Sequence, residues 1–288
     1  MPLTRFLLPI IFAFATSVLA QQSPVSSPSQ IPPPPPPKAP ARPRLVSAPP
    51  AVFNLIRDPS AVNAVQAAIS ALGGDGAIAG VSSWRVQGTA TPAGTNVNTV
   101  STITWERAGS EFRMESVVGD KTIAIASGFG KPASIANGGS NDLPDYVVRA
   151  LFIPALVGSV LRDCLQDANS SIEYVGSAKL GNKDVTVVRT ASTRPGDRYV
   201  IGRTWFLDSA TNLPLRVEYG VPAVQTIRVW YQAAANFSDY RSIAGVQYPF
   251  HIEAYQQGKL VQTIALQSVD ANASIAPARF DVSTGVSQ

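Results

Sequence analysis

Trp84-Arg85-Val86-Gln87-Gly88-Thr89-Ala90 reads with a period of two. Trp84, Val86, Gly88 and Ala90 fall on one side, and Arg85, Gln87 and Thr89 on the other, the pattern of a strand with one dry face and one wet face. The same alternation continues downstream. Ile103 and Trp105 alternate with Thr102, Thr104 and Glu106, and Phe112 and Met114 with Glu111, Arg113 and Glu115. Ala108-Gly109 and Gly119-Asp120 supply the turns, and a further strand is expected around Lys121–Ala126. This is the signature of an antiparallel meander.

Strands resume at Ser171–Ser177, Val185–Ala191, Arg198–Leu207, Leu215–Gly220, Val224–Gln232, Val246–Gln256 and Lys259–Val269, with Gln257-Gly258 as a tight hairpin turn. The reading predicts a mainly β, α+β fold, with a single large curved antiparallel sheet of about 10–11 strands and few helices.

Two segments break the strand pattern. Asp58 caps and Pro59 opens a helix whose Val62, Val65, Ala68, Ile69 and Leu72 share one face, and Gly73-Gly74 ends it. Leu143–Leu165 is the second. Tyr146–Leu161 carries one charge, Arg149, and its apolar residues cover nearly every helical face, so it has to be buried or lie in lipid. Sixteen residues are short for a span, and Pro154 would kink them. One kinked helix or two short ones, packed on the dry face of the sheet, is the expected arrangement.

The N-terminal residues divide into two more parts. Met1–Arg5 is short and positively charged, Phe6–Val18 is almost wholly apolar, and Val18-Leu19-Ala20 suits a signal peptidase. Residues 1–20 are expected to be a secretory signal peptide cut after Ala20, with an uncut anchor as the competing reading. Residues 21–50 hold twelve prolines, including Pro32–Pro37. Each fixes φ and removes a backbone donor, so an extended disordered spacer is expected, reaching on the order of 60–90 Å. The folded domain is then 51–288, with no transmembrane span in the mature chain, working in the periplasm or cell envelope.

Charge and soft ligands exclude several classes. Beyond residue 50, nineteen basic residues balance nineteen acidic ones, so the folded part offers no net charge to nucleic acid. The single cysteine, Cys164, forms no internal disulfide and does not stand where an acylated lipoprotein cysteine would. It reads as a small core residue. His251 is the only histidine, on the wetter face of its strand with Glu253 and Tyr255. No Gly-x-Ser-x-Gly elbow, Walker loop, zinc spacing or EF-hand loop occurs. No catalytic residue, metal site or cofactor is assigned, and the chain is read as not an enzyme; a secreted hydrolase is the weakest alternative.

What stands out is apolar. Trp84, Trp105, Trp205 and Trp230 lie among the strands, and Leu151, Phe152, Ala155 and Leu156 lie in the apolar segment. These eight residues are the candidate lining of an apolar cavity between sheet and helix, of the kind that holds lipid tails. A filled core that needs no ligand is the competing reading.

Three stretches, taken in order, carry a resemblance. They are Ala71-Leu72-Gly73-Gly74 with Val86-Gln87-Gly88-Thr89; Phe206-Leu207-Asp208 with Asn212-Leu213-Pro214-Leu215-Arg216; and Asp239-Tyr240-Arg241-Ser242-Ile243-Ala244-Gly245-Val246-Gln247-Tyr248-Pro249-Phe250, leading to Val269, Asn272, Ile275 and Phe280. Across roughly residues 55–285 the chain resembles the outer-membrane lipoprotein-sorting superfamily of periplasmic lipid-binding proteins. The resemblance implies a half-barrel wrapped around helices, with acyl chains held between sheet and helices and no catalysis. A lipid, or the acyl chain of a lipoprotein, is the implied partner. A protein partner in the envelope, engaged by the same scaffold with a filled core, is the alternative. Gly245 is expected to allow a tight return that sets Tyr240 against Phe250 on adjacent strands.

Overall fold

In the computed structural model the described residues are 55–94, 100–127, 133–136, 140–143, 157–192, 200–223 and 226–281. The expected signal peptide, the Pro-rich spacer and the greater part of the apolar segment, residues 144–156, lie outside them.

The strands are β1 (Ser83–Pro92), β2 (Ser101–Ala108), β3 (Glu111–Val118), β4 (Lys121–Ser127), β5 (Ala133–Ala136), β6 (Ser140–Leu143), β7 (Ser171–Leu180), β8 (Lys183–Ser192), β9 (Ile201–Asp208), β10 (Pro214–Ala223), β11 (Thr226–Ile243), β12 (Val246–Gln256) and β13 (Lys259–Ala271). They form one sheet in the order β6-β5-β4-β3-β2-β1-β13-β12-β11-β10-β9-β8-β7. Every pairing between them is antiparallel. The sheet is thus two meanders, β1–β6 and β7–β13, joined where β1 meets β13. It does not close, because β6 and β7 stand at opposite ends. All eleven strands expected from the sequence are present. The two additional ones, β5 and β6, have four residues each, too few to show a period.

Three helices occur among the described residues: α1 (Pro59–Ala71), α2 (Asp75–Gly80) and α3 (Val157–Gln166). In α1 the Asp58 side chain accepts from the Ser60 N–H, and Pro59 costs nothing at the first position because its missing donor would be unpaired there anyway. Ala61, Val65, Ala68 and Ile69 are its buried face. The helix ends at Leu72, whose N–H returns to the Ala68 carbonyl. Gly73 follows at φ +120°, where an added Cβ would run into the Gly245 carbonyl oxygen. Two of the stretches that carry the resemblance therefore meet at this contact, and Gln247 N–H donates to Leu72 O at 2.9 Å beside it. α2 is an addition to the expected elements: Gly74, which the sequence marks as the end of α1, is the N-cap of these six residues. The described part of α3 is one-sided, with Val157, Leu161 and Cys164 buried and Arg162 reaching out to Asp75.

The core lies between the concave face of the sheet and the helices. Val65, Leu72 and Leu161 from the helices meet Val86, Trp105, Val188, Trp205, Val217 and Ile252 from the sheet. Each such side chain, fully buried, contributes about 1.5–3 kcal/mol relative to exposure. At the β11–β12 turn, Ala244 and Gly245 both take positive φ, 50° and 80°. The register there sets Tyr240 against Pro249, one position away from the expected pairing with Phe250. Asp239 stands at φ 53° just before it, so the strand is not regular at this point.

Candidate ligand site

The register decides which expected lining residues share a face. Val86 pairs with Trp105, so Trp84, Val86 and Trp105 point the same way. Trp205 pairs with Val188 and Val217, Val217 with Ala235, and Ala235 with Ala254. Ile252 pairs with Ile264, and Ile264 with Ala90. That continuous row places Trp84, Trp105 and Trp205 together on the concave face, all three buried in one core. The Trp205 indole N–H donates to Thr190 Oγ1 at 3.0 Å, which satisfies its only polar atom.

Trp230 stands elsewhere. It pairs with Pro222, in line with Gln232, Ala234 and Asn236 and out of line with Val217, Tyr219 and Val221. Its ring covers Gly220, where a Cβ would lie 3.0 Å from it. Trp230 is buried on the convex face and does not line the concave one. Leu151, Phe152, Ala155 and Leu156 fall outside the described residues.

A cleft opens where α2, the start of α3 and β12 converge. Ile78 and Val81 form one wall, Val157, Gly158 and Ser159 the second, and Trp84 with Val246–Pro249 the floor. Gly158 faces Ile78, and a Cβ there would make ordinary contact at 3.4 Å with the Ile78 methyl group. The free space inside is ≈ 20 Å³. That is room for about one water molecule, not for an acyl chain. Burial pushes the Tyr248 hydroxyl up to about 12, and the charge of Arg107 opposes part of that rise.

Polar groups on the concave side are few and lie deeper. Thr190, Arg203 and Tyr219 are register partners, all buried, with Cys164 of α3 against them. Burial pushes the Cys164 thiol up, against the opposing pull of Arg203 and Thr190. A thiol so placed is a poor nucleophile and packs as the small core residue expected of it. Burial also raises the Tyr219 hydroxyl far above its ordinary value.

His251 takes its expected place on the wetter, convex face, with a side chain 42 % exposed and 4.0 Å from Glu253. Glu253 accepts from Tyr255 at 2.8 Å and Asn236 at 3.2 Å, and these two bonds, led by the tyrosine, hold its carboxyl below the usual range. Arg216 completes this ladder through Glu218 and Asn236. Exposed Ser238 is the register partner of His251 on β11, and together with Glu253, Tyr255 and Asn236 they make a cross-strand polar surface. Among the described residues no group of three or more His, Cys, Asp or Glu could hold a metal ion, and no helix is long and apolar enough to cross a membrane.

No protein-family model matches the chain, and no curated protein matches its sequence. Solved structures share its fold. A DUF1329 family protein from Desulfovibrio piger superposes with a TM-score of 0.50 at 12% identity, over 79% of this chain and 99% of that one. A domain described as an outer membrane lipoprotein-sorting protein, from Vibrio parahaemolyticus, does so with a TM-score of 0.50 at 10% identity, over 77% of this chain and 98% of that one. The chain shares the fold of these structures, and one of them carries the lipoprotein-sorting description that the three sequence stretches resemble.

Proposed function

We propose that this protein is secreted into the cell envelope and there binds lipid, or the acyl chains of a lipoprotein, between its half-barrel and its helices, without catalysis. The observation that carries the reading is the concave face itself, where Trp84, Trp105 and Trp205 face apolar helices with little polar chemistry between them. The N-terminal residues 1–20 fit a secretory leader, and the Vibrio neighbour is described as a lipoprotein-sorting domain. Each buried CH₂ would contribute ~0.8 kcal/mol, so one long chain could be held without charged contacts. Phe152 and Leu156 would complete the lining.

The nearly filled cleft favours a second reading, an envelope protein-interaction module on the same scaffold. Native mass spectrometry of the secreted protein, purified without detergent and followed by organic extraction, separates the two. A stoichiometric lipid that is lost in Phe152→Asp and Leu156→Asp variants with intact circular dichroism is the expected result. A clean apo mass, with no uptake from added phospholipid or fatty acid, would overturn lipid binding in favour of a protein partner.

A further inference from the structure

Residues 56–58 are held in three ways before α1 begins. Ile172 N–H donates to Ile56 O at 2.6 Å and Asp58 N–H to Ile172 O at 2.9 Å, a short parallel bridge on the outer edge of β7. Ser171 Oγ lies 3.0 Å from both the N–H and the carbonyl oxygen of Ile56. The Arg57 guanidinium then turns toward the end of α3. Nη2 donates to Leu165 O at 2.7 Å, and Nη1 donates to Asp167 O at 3.0 Å and Ser170 O at 3.1 Å.

The last carbonyls of a helix have no partner within it and carry its negative dipole end. Here a donor arrives from more than a hundred residues upstream and adds to the local Asp167 N–H to Asp163 O and Ser170 N–H to Asp167 O bonds. A planar guanidinium suits this task because one fork serves several acceptors at once. A second side-chain tie on α3 is weaker. Arg162 and Gln166 both reach Asp75, whose side chain is 59% exposed. At its other end α3 begins with Val157, Gly158 and Ser159, the second wall of the cleft.

We propose that residues 56–58 form a strap: while Arg57 holds the end of α3 the cleft stays narrow, and when the strap lifts, α3 loosens and the cleft opens. The strap is the first described piece of chain after the Pro-rich stretch, so anything that pulls on residues 21–54 acts on it first. The ligand of the cleft need not be a lipid for this to hold.

Hydrogen-exchange mass spectrometry on the full secreted chain tests the proposal. In Arg57→Ala, amide exchange over residues 157–166 is expected to rise on the order of tenfold or more, while β9–β12 keep their protection. Arg57→Lys, which keeps the charge but not the fork, should fall between, and it carries the test should the alanine variant fail to fold. Asp75→Asn should change little. Binding of an apolar dye such as anilinonaphthalene sulfonate should rise in step with exchange. Unchanged exchange in α3, an equal rise across the whole sheet, or loosening of α3 with no gain in dye binding would each overturn the strap. Loosened α3 with increased dye binding, in a protein that never carries lipid, would leave the strap standing and remove only the lipid reading.

Discussion

At Gly88 a single methyl group would force apart the two strands that join the halves of the sheet. The β1–β13 register shifts between Gln87 and Gly88, so β13 carries an extra residue, and its backbone crowds the glycine. A Cβ at position 88 would strike the Ala265 carbonyl oxygen and lie 2.9 Å from Leu266 Cα, backbone atoms that cannot swing aside. Gly88→Ala is expected to cost at least about 2 kcal/mol, read as a lower urea midpoint. Gly202→Ala, where nothing lies within 4 Å, is the control and should be neutral or slightly stabilising. An equal cost at both sites would show that chain entropy, not collision, governs position 88. The sequence already showed Gly88 on the dry side of its strand. It did not show the bulge, because a bulge on β13 leaves no mark in the alternation of β1.

Among the elements, strands of seven or more residues such as β4 were legible, and elements that lack room or contrast were not. β2 and β3 each span eight residues and alternate apolar with polar residues in sequence, although buried Glu106, Arg113 and Ser116 interrupt the alternation of burial. α2 has six residues, two of them glycine at positions 76 and 80, so no apolar stripe accumulates. β11 runs to Ile243, well beyond the expected end at Gln232, because Ala233, Ala234 and Ala235 are buried whichever face they occupy and erase the alternation. The same parity problem hid the side on which Trp230 falls, which depends on its pairing with Pro222. After β13 a short 3₁₀ turn, Pro277–Phe280, ties three strands on the convex face. Glu106, 1% exposed, accepts from Arg85 at 2.8 Å and from Arg279 at 2.9 Å, while Glu115 accepts from Arg113 at 2.6 Å. Removing the buried carboxylate takes the ion-pair partner from Arg85 and leaves Arg279 only the longer 3.5 Å pair with Glu115, whereas removing Arg279 leaves Glu106 still paired with Arg85. Glu106→Ala is therefore expected to cost about 3 kcal/mol and Arg279→Ala about 1 kcal/mol, since Arg279 is partly solvated. Urea midpoints in the opposite order would place the weight on the 3₁₀ turn and the buried Phe280 rather than on the carboxylate.

Over the whole molecule, the buried tyrosines couple the fold to alkaline pH. Burial raises the hydroxyls of Tyr219, Tyr240 and Tyr248 above the ordinary tyrosine value. Tyr240 is half-buried as a residue, but its hydroxyl end sits deep and donates to Pro214 O at 2.6 Å. In the unfolded chain these groups lose their protons near pH ~10, while in the folded protein they keep them to higher pH. Above pH ~10 the folded state thus binds more protons than the unfolded one, so stability falls as pH rises. Below pH ~10 their contribution is fully present and flat. Each such tyrosine adds a slope of about 1.4 kcal/mol per pH unit between its unfolded and folded values. Lysine side chains as a class lose their protons in the same range, so the wild-type slope alone does not isolate the tyrosines. Tyr240→Phe does. It should lose about 1 kcal/mol at pH 7, the worth of the bond to Pro214, and then decline less steeply than wild type between pH 10 and 11. The two urea-midpoint curves should converge across that window; parallel curves would mean that the Tyr240 hydroxyl ionises as readily in the folded protein as in the unfolded chain.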